Sequence, residues 1–302
     1  MKISIICPLY NAEKYIESLH NNLLTQELSS DVELDIQYVL TKSKDKSKEI
    51  LEEMNLNYCS IDSKEFSHSK TREFMAYKSD GDIIVFISQD VVMKDKLWLM
   101  NLVKPIMLNE CEASFSRQLC TNNSIERYIR KINYPEVSRI VSKNDVDTYG
   151  LLTFFYSDAS SAIKASIYKE LKGYDNKNLI INEDMYLAYK IINNGYRIKY
   201  CADSQVIHSH TFTLKQLYNR YFDTGVFLRQ NSYLLKFKAN KSGGDLAKQV
   251  FKEALKEKNF KVVINLIPNF ASRFIGSNLG KRYESLSQKF VIKSSMNKNY
   301  WN

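Results

Sequence analysis

The chain has 302 residues, of which 44% are hydrophobic and 25% are charged, as in a globular protein of one large or two modest domains. Its five cysteines have no C-x-x-C spacing, which excludes a disulfide framework and a structural zinc site. The formal net charge of +9 is uneven, because residues 236–302 carry 14 basic and four acidic residues, whereas residues 1–235 carry 29 and 30.

Strand and helix patterns alternate along the first part of the chain. Strands are predicted over residues 3–7, 34–40, 57–61 and 83–87. Helices are predicted over residues 13–26, 46–54, 68–78 and 97–108, with Ser67 as the cap of the third. This alternation predicts a doubly wound α/β domain with a mostly parallel, Rossmann-like sheet. Beyond residue 120 the pattern loosens, with strands predicted over residues 151–156 and 198–201 and a helix over residues 183–193.

One predicted strand ends in a carboxylate. Residues 83–87 are an unbroken apolar run, which is typical of a strand covered on both faces, and Asp90 follows three residues later. Open sheets of this kind bind ligands at the carboxyl ends of their strands. Asp90 is therefore a candidate site residue, although a carboxylate that caps the next helix would give the same pattern.

Other polar clusters offer groups for catalysis or binding. Glu183 and Asp184 are adjacent at the start of a predicted helix. One of them can act as a general base. The alternative is that the pair simply forms an acidic first turn of the helix. His208 and His210 alternate in an extended segment, so both rings can face one side and hold a divalent cation, or serve a structural role. Arg72 lies in a hydroxyl-rich helix start suited to phosphate or a base edge.

The region after residue 235 is predicted to form a basic helical extension. Residues 240–244 indicate a linker, so we expect domains at 1–235 and 236–302. Apolar residues recur there at helical spacing, interrupted by Pro268: Phe260, Val263, Ile264, Ile267, Phe270, Ala271 and Phe274. The pattern is too short and polar to span a bilayer. Two interpretations stay open, which are packing on the main domain and attachment to an anionic membrane surface.

Taken in order, these segments resemble the A-fold glycosyltransferases of family two, and within them the bacterial rhamnosyltransferases that use dTDP-rhamnose. The likeness covers nearly the whole chain. Its motifs are residues 7–11 around Pro8 and Tyr10, residues 66–72 ending in Arg72, residues 85–90 with Gln-Asp in place of Asp-x-Asp, Glu183-Asp184, residues 208–210, and Tyr300-Trp301. Residues 116–119, 125–127, 153–158 and 161–163 are similar to further positions of the subgroup.

The resemblance implies a role for each matching residue. It implies that Asp184 is the catalytic base of an inverting transfer, and that Asp90 with His208 or His210 holds Mn²⁺ or Mg²⁺ beside the diphosphate. It also implies that a group of donor-binding residues contacts the nucleotide sugar: Pro8, Tyr10, Arg72, Gln89, Asp90 and Glu183. The family's aspartate at the end of the second strand is missing. The candidate substitutes for reading the base are Thr41 and a backbone carbonyl, and the alternative is a nucleotide that is held less selectively.

The expected partners follow from the same likeness. They are dTDP-rhamnose and a saccharide acceptor on a growing cell-surface polysaccharide or a lipid-linked oligosaccharide. The apolar stretch at the amino terminus is too short for a signal peptide, so we expect a cytoplasmic protein, peripheral on the inner face of the plasma membrane. The alternatives are a UDP-sugar donor, a non-catalytic sugar-nucleotide binder, and a nucleic-acid-binding protein that uses the basic tail. The last is disfavoured, because the tail carries lysines among apolar residues at core spacing and no nucleic-acid-binding signature.

Overall fold

The computed structural model describes residues 1–238 and 243–301. Within the predicted linker, residues 240–242 lie outside the described residues. The strands are β1 (Lys2–Leu9), β2 (Glu33–Thr41), β3 (Tyr58–Ile61), β4 (Ile83–Ile87), β5 (Val92–Met93), β6 (Ala113–Leu119), β7 (Arg139–Val141), β8 (Ser160–Lys164) and β9 (Ile198–Ile207).

The helices flank this sheet and form the carboxyl-terminal region. They are α1 (Ile16–Leu24), α2 (Ser47–Glu53), α3 (His68–Lys78), α4 (Trp98–Met107), α5 (Ile125–Asn133), α6 (Val146–Tyr149), α7 (Ala165–Glu170), α8 (Glu183–Asn193), α9 (Leu214–Gln230), α10 (Gly243–Lys256), α11 (Phe260–Gly280) and α12 (Gln288–Ser294). Short 3-10 turns add Lys143–Asp145, Gly150–Phe154, Ser232–Lys236, Tyr283–Ser285 and Lys298–Trp301. The α/β fold with a helical extension is thus confirmed.

The strand order is β3-β2-β1-β4-β8-β6-β9-β5, with β7 paired to β9. The half formed by β3, β2, β1 and β4 is parallel, as predicted. In the other half β8 runs antiparallel to both β4 and β6, while β6 and β9 are parallel. The sheet is therefore mixed, and β4 lies where its parallel half meets its mixed half.

Strand β4 is buried along its whole length. Ile84 and Phe86 belong to the core on one face of the sheet, and Ile83, Val85 and Ile87 belong to the core on the other. This alternation explains the unbroken apolar run, because every side chain of the strand enters a core. The chain regains polar residues only where β4 leaves the sheet, at the edge that carries Asp90.

Most predicted elements of residues 1–120 are confirmed within a few residues. Ser67 caps α3, since its hydroxyl accepts a hydrogen bond from the Lys70 backbone N–H. The strand predicted over residues 151–156 is wrong, because the 3-10 turn Gly150–Phe154 takes its place. Phe154 is fully buried and packs edge-on against Phe237. The apolar run therefore reflects core packing, which periodicity cannot distinguish from a buried strand.

Glycines bring α11 against α9. A Cβ placed on Gly280 would lie 2.0 Å from the carbonyl oxygen of Phe222, and one on Gly225 would lie 2.2 Å from that of Ser277. Backbone atoms on both sides leave no room to adjust. The helix continues through Pro268 instead of stopping there. One face of α11 is thus fixed on the main domain by close backbone contact.

The end of the chain returns to the same side of the molecule. The carboxylate of Asp223 in α9 accepts hydrogen bonds from the backbone N–H groups of Met296 (2.9 Å) and Asn297 (3.0 Å). The amide of Asn297 donates to the carbonyl of Ile180 at 3.3 Å. The segment after α12 is thereby held beside the residues that lead into α8.

No helix within residues 1–238 and 243–301 combines the length and the apolar character that crossing a membrane requires.

We expect Gly280→Ala to lower the free energy of unfolding by about 1–3 kcal/mol, because its methyl group overpacks the contact with α9. Gly243→Ala is the matched control, since a Cβ there meets no atom within 4 Å. Urea unfolding of the full chain measures both. Equal stability of the two variants would show that the contact between Gly280 and α9 can accommodate a methyl group.

Candidate functional site

A cleft of about 810 Å³ opens at the carboxyl ends of β1 and β4. Its walls come from these strand ends, the amino termini of α3 and α8, the segment after β9, and helices α5 and α9. It brings together all but one of the predicted site residues: Pro8, Tyr10, Arg72, Gln89, Asp90, Glu183, Asp184, His208 and His210. Residues far apart in sequence therefore share one site.

Asp90, His208 and His210 converge on one point of the cleft. Their candidate ligand atoms all lie within 4.8 Å of one another. His208 Nε2 is 3.4 Å from Asp90 Oδ1, and His210 Nδ1 is 3.7 Å from Asp90 Oδ2. Imidazole nitrogens and a carboxylate are a donor set that first-row divalent cations accept. The arrangement matches the predicted metal-binding group.

Gln118 determines which nitrogen of His208 faces this point. Its side-chain amide nitrogen donates to the Ser157 hydroxyl at 2.7 Å, so its oxygen is left to accept from His208 Nδ1 at 3.0 Å. In the neutral ring Nε2 then carries a lone pair, and it faces a carboxylate oxygen of Asp90. Two electron-pair donors that face each other call for a cation between them, so the residues present fit a divalent metal.

Protonation in this group also favours metal binding. Burial and the charge of His208 lower the pKa of His210 to about 4, so its ring is neutral at neutral pH. Burial opposes ionisation of Asp90, but when the histidines are protonated their charges and a hydrogen bond from His208 outweigh burial and lower its pKa. A neutral imidazole and an ionised carboxylate are the forms that bind metals.

Gln89 joins the ends of β1 and β4. Its side-chain oxygen accepts from the Tyr10 backbone N–H at 2.7 Å, and its amide nitrogen donates to the Tyr10 carbonyl at 3.0 Å. This amide pairs with the backbone as a neighbouring strand would, and it holds the loop after β1 in place. The Tyr10 ring remains 51% exposed at the mouth of the cleft, where a planar ligand can stack on it.

Arg72 lies buried in the floor of the cleft. One of its terminal nitrogens donates to the carbonyl of His68 at 3.0 Å and to Glu183 at 3.2 Å. Its Nε is buried and has no hydrogen-bond partner within the described residues. Glu183 is thus committed to an ion pair, whereas the arginine keeps an unsatisfied N–H group.

Asp184 occupies a different environment from its neighbour Glu183. Asn182, in the left-handed region at φ 59°, turns the chain so that α8 begins inside the cleft. Oδ1 of Asp184 accepts the Met185 backbone N–H at 2.7 Å. Burial, and then the negative charges of Glu183 and Asp158, raise the pKa of Asp184 well above its ordinary value. A carboxylate with a raised pKa is a stronger base near neutral pH.

Asp158 is a site residue to which the sequence analysis assigned no role. It is buried, and its carboxylate accepts hydrogen bonds from Ser161 (2.8 Å) and Tyr174 (2.6 Å). Burial raises its pKa to about 6, although the charge of Arg72 opposes the shift. Its position in the 153–158 motif was the only signal in the sequence.

Arginines from three helices also line the cleft and were missed: Arg130 of α5, Arg220 of α9 and Arg273 of α11. Arg273 is buried and bonds Glu126 and Tyr221, so it connects α11 to the cleft wall. Arg130 and Arg220 lie close enough to lower the pKa of His210. The sequence around each of these arginines contains no local motif that marks it as a site residue.

Thr41 is the one predicted site residue that does not line the cleft. It is buried at the end of β2, and its hydroxyl has no hydrogen-bond partner within the described residues. The nearby Asp45 is also committed, because it accepts hydrogen bonds from the Ser47 hydroxyl at 2.8 Å and the Glu13 backbone N–H at 3.1 Å. Neither side chain lines the cleft.

Comparison with known proteins places this cleft in context. The sequence profile described as "Glycosyl transferase family 2" matches residues 4–172. The O-antigen chain rhamnosyltransferase RfbN of Salmonella typhimurium is 33% identical over 100% of this chain and 96% of its own length.

Two solved structures share the fold. The Staphylococcus aureus TarS fragment 1–349, solved with UDP, has a TM-score of 0.55 at 18% identity, covering 94% of this chain and 91% of that one. Mannosyltransferase PcManGT from Pyrobaculum calidifontis, solved with GDP-Man and Mn²⁺, has a TM-score of 0.55 at 16% identity, covering 94% and 76%.

We expect Asp90→Asn to abolish most Mn²⁺ binding, and Gln118→Met to weaken it by about 10- to 100-fold, because the imidazole of His208 loses the partner that orients it. Gln205→Met is the matched control, since that amide pairs with Lys94 away from the cleft. Electron paramagnetic resonance titration with Mn²⁺ gives the affinities. Wild-type Mn²⁺ affinity in Gln118→Met would mean that the Gln118 amide does not determine the orientation of the His208 ring.

Proposed function

The chain belongs to glycosyltransferase family 2, and we propose that it transfers L-rhamnose from dTDP-rhamnose to a hydroxyl of a saccharide acceptor, with inversion at the anomeric carbon. Identity of 33% with an O-antigen rhamnosyltransferase over the full chain supports this sugar. Family membership also favours an enzyme over the nucleic-acid-binding alternative.

The observation that carries the proposal is the division of the cleft into two chemical parts. Asp90, His208 and His210 form a group with metal-ligand chemistry, while Asp184 is a carboxylate of raised pKa in the same cavity. Glycosyl transfer needs both functions, because negative charge develops on the departing diphosphate while the acceptor hydroxyl loses a proton. The cleft is large enough to hold a donor and the end of an acceptor.

In this proposal Asp90, His208 and His210 would hold a divalent cation, Mn²⁺ or Mg²⁺. When bound, the cation supplies positive charge that stabilises the departing diphosphate. Gln118 keeps His208 oriented, and Arg130 and Arg220 add positive charge to the same cavity.

Asp184 performs the proton transfer of the proposed reaction. Its carboxylate accepts the proton of the acceptor hydroxyl as that oxygen forms a bond to the anomeric carbon. The bond from this carbon to the phosphate oxygen breaks at the same time, and its electron pair leaves with dTDP. Glu183 does not compete for the proton, because its oxygen is paired with Arg72.

The donor is positioned by residues at the strand ends. The exposed ring of Tyr10, next to Pro8, is available to stack on the thymine base, and Gln89 keeps that loop fixed. Arg72 lines the cleft and adds positive charge beside the donor phosphates. Thr41 does not reach the cleft, so base selection would rest on stacking and backbone groups.

We propose as acceptor a lipid-linked oligosaccharide or growing cell-surface polysaccharide assembled in the cytoplasm. The curated relative acts, by its name, on the O-antigen chain. A UDP-sugar is the alternative donor, because nothing in the cleft distinguishes rhamnose from other sugars by geometry.

Calorimetric titration tests the donor directly. We expect dTDP to bind more tightly than UDP or GDP, and to require Mn²⁺ or Mg²⁺. A preference for UDP or GDP would change the donor, and failure of all three to bind would contradict the proposed reaction.

Asp184→Asn should reduce turnover of dTDP-rhamnose by about 10²- to 10⁴-fold, the usual contribution of a general base, while dTDP binding stays near that of the wild type. Asp203→Asn, at an exposed position of β9, is the matched control and should keep full turnover. Transfer to acceptor-containing membranes and calorimetry together supply the two readouts. Full turnover in Asp184→Asn would remove this residue from the mechanism.

The pH profile gives an independent check on the base. Asp184 must be ionised to accept a proton, so kcat/KM should fall as the pH drops through its raised pKa, above the value of about 4 for an ordinary aspartate. Asp158→Asn removes one neighbouring negative charge, so we expect the acid limb to move to lower pH. An acid limb that is unchanged in Asp158→Asn would contradict the electrostatic coupling between Asp158 and Asp184.

A further inference from the structure

The outer face of α11 carries an exposed apolar stripe. Its large members are Phe260, Ile264, Ile267 and Phe274, whose exposed fractions are 61%, 75%, 78% and 71%. Ala271, also exposed, lies between the last two. These residues recur at intervals of three and four, so they lie on one side of the helix over about 21 Å. We call this set the apolar stripe.

The opposite face of α11 is the one that packs on the protein. Val262, Arg273, Gly276 and Gly280 are buried there, and the two glycines contact α9 through backbone atoms. The apolar stripe therefore lies on the side of α11 that does not pack on the protein. The helix is held by one side and presents a second hydrophobic side outward, which is uncommon on a protein surface.

Helix α10 also exposes apolar side chains, and it exposes basic side chains as well. Phe251 and Leu255 are exposed by 41% and 47%. Exposed lysines stand beside them and at the start of α11: Lys248, Lys252, Lys256, Lys258 and Lys261.

Two of the three acidic side chains of this region face the body of the protein, and the third is Asp245 at the start of α10. Glu253 pairs with Lys131 at 2.9 Å, and Glu257 pairs with Arg127, both on α5. These ion pairs offset two negative charges, and the exposed lysines of α10 and of the start of α11 keep the surface basic. The surface combines positive charge with exposed aromatic and aliphatic side chains, which is the composition of helices that lie in a lipid interface.

We propose that α10 and the apolar stripe of α11 dock on the surface of an anionic lipid bilayer. The stripe enters the acyl boundary, and the lysines contact anionic headgroups, each adding electrostatic attraction. A second copy of the chain fits this surface less well, because a twofold contact would set the same lysines against each other.

This orientation has a consequence for the cleft. Arg273 projects from the packed face of α11 and lines the cleft, so one helix, about 10 Å across, separates the cleft wall from the docking surface. If the proposed function holds, a lipid-linked acceptor meets the site close to its membrane anchor. The docking itself does not depend on that function.

Vesicle flotation of the full chain without substrates tests the docking. We expect binding to vesicles of phosphatidylcholine mixed with phosphatidylglycerol, weak binding to pure phosphatidylcholine, and a loss of binding as salt rises. Ile264→Ser with Ile267→Ser should weaken binding at least tenfold. Lys252→Glu with Lys256→Glu should have a similar effect.

Matched controls come from the rest of the surface. Leu108→Ser with Val137→Ser removes apolar side chains that are 59% and 76% exposed away from α11, and Lys14→Glu with Lys44→Glu makes the same charge change near the amino terminus. Both should bind as the wild type does. Unfolding midpoints confirm that every variant is folded.

Three outcomes would overturn the proposal. They are equal binding to neutral and anionic vesicles, wild-type binding by the stripe variant, and self-association of the free chain that the stripe variant abolishes. Since no donor or acceptor is present in the assay, a wrong assignment of the reaction leaves this result unaffected.

Discussion

The structure of the site depends on the burial of β4 on both faces of the sheet. Because all five side chains of Ile83–Ile87 enter a core, the chain turns polar only where the strand ends. Gln89 and Asp90 are delivered to that edge by a strand that cannot shift register without exposing apolar residues. The bond between Gln89 and the Tyr10 backbone then ties the next strand end to the same place.

A second principle of the site is that neighbouring carboxylates differ in function because their partners differ. Glu183 is ion-paired with Arg72, whereas the pKa of Asp184 is raised by burial and by the negative charges of Glu183 and Asp158. Burial opposes ionisation of Asp90, but protonated histidines beside it lower its pKa. A single cleft thus gives three carboxylates three different environments, and these environments are the basis for the roles that we propose for them.

The carboxyl-terminal region contributes residues to the cleft and also forms an exposed surface of its own. Asp223 and Asn297 bind the end of the chain beside Ile180, and Arg273 reaches the cleft from α11. Close glycine contacts with α9 make this possible, since they bring a helix backbone to within contact distance of the domain. The same packing determines which face of α11 remains outside.

The sequence by itself predicted the alternation of strands and helices from β1 to α4, apart from the short β5. It also picked out Asp90, the two histidines and the pair Glu183-Asp184, because these rest on local periodicity and on contiguous motifs. It did not determine the mixed half of the sheet, the exclusion of Thr41 from the cleft, or the roles of Gln118, Asp158 and Arg220. Those depend on contacts between residues far apart in the chain. A helical period showed that α11 has an apolar side, but only the packing of its glycines on α9 decided that this side faces outward.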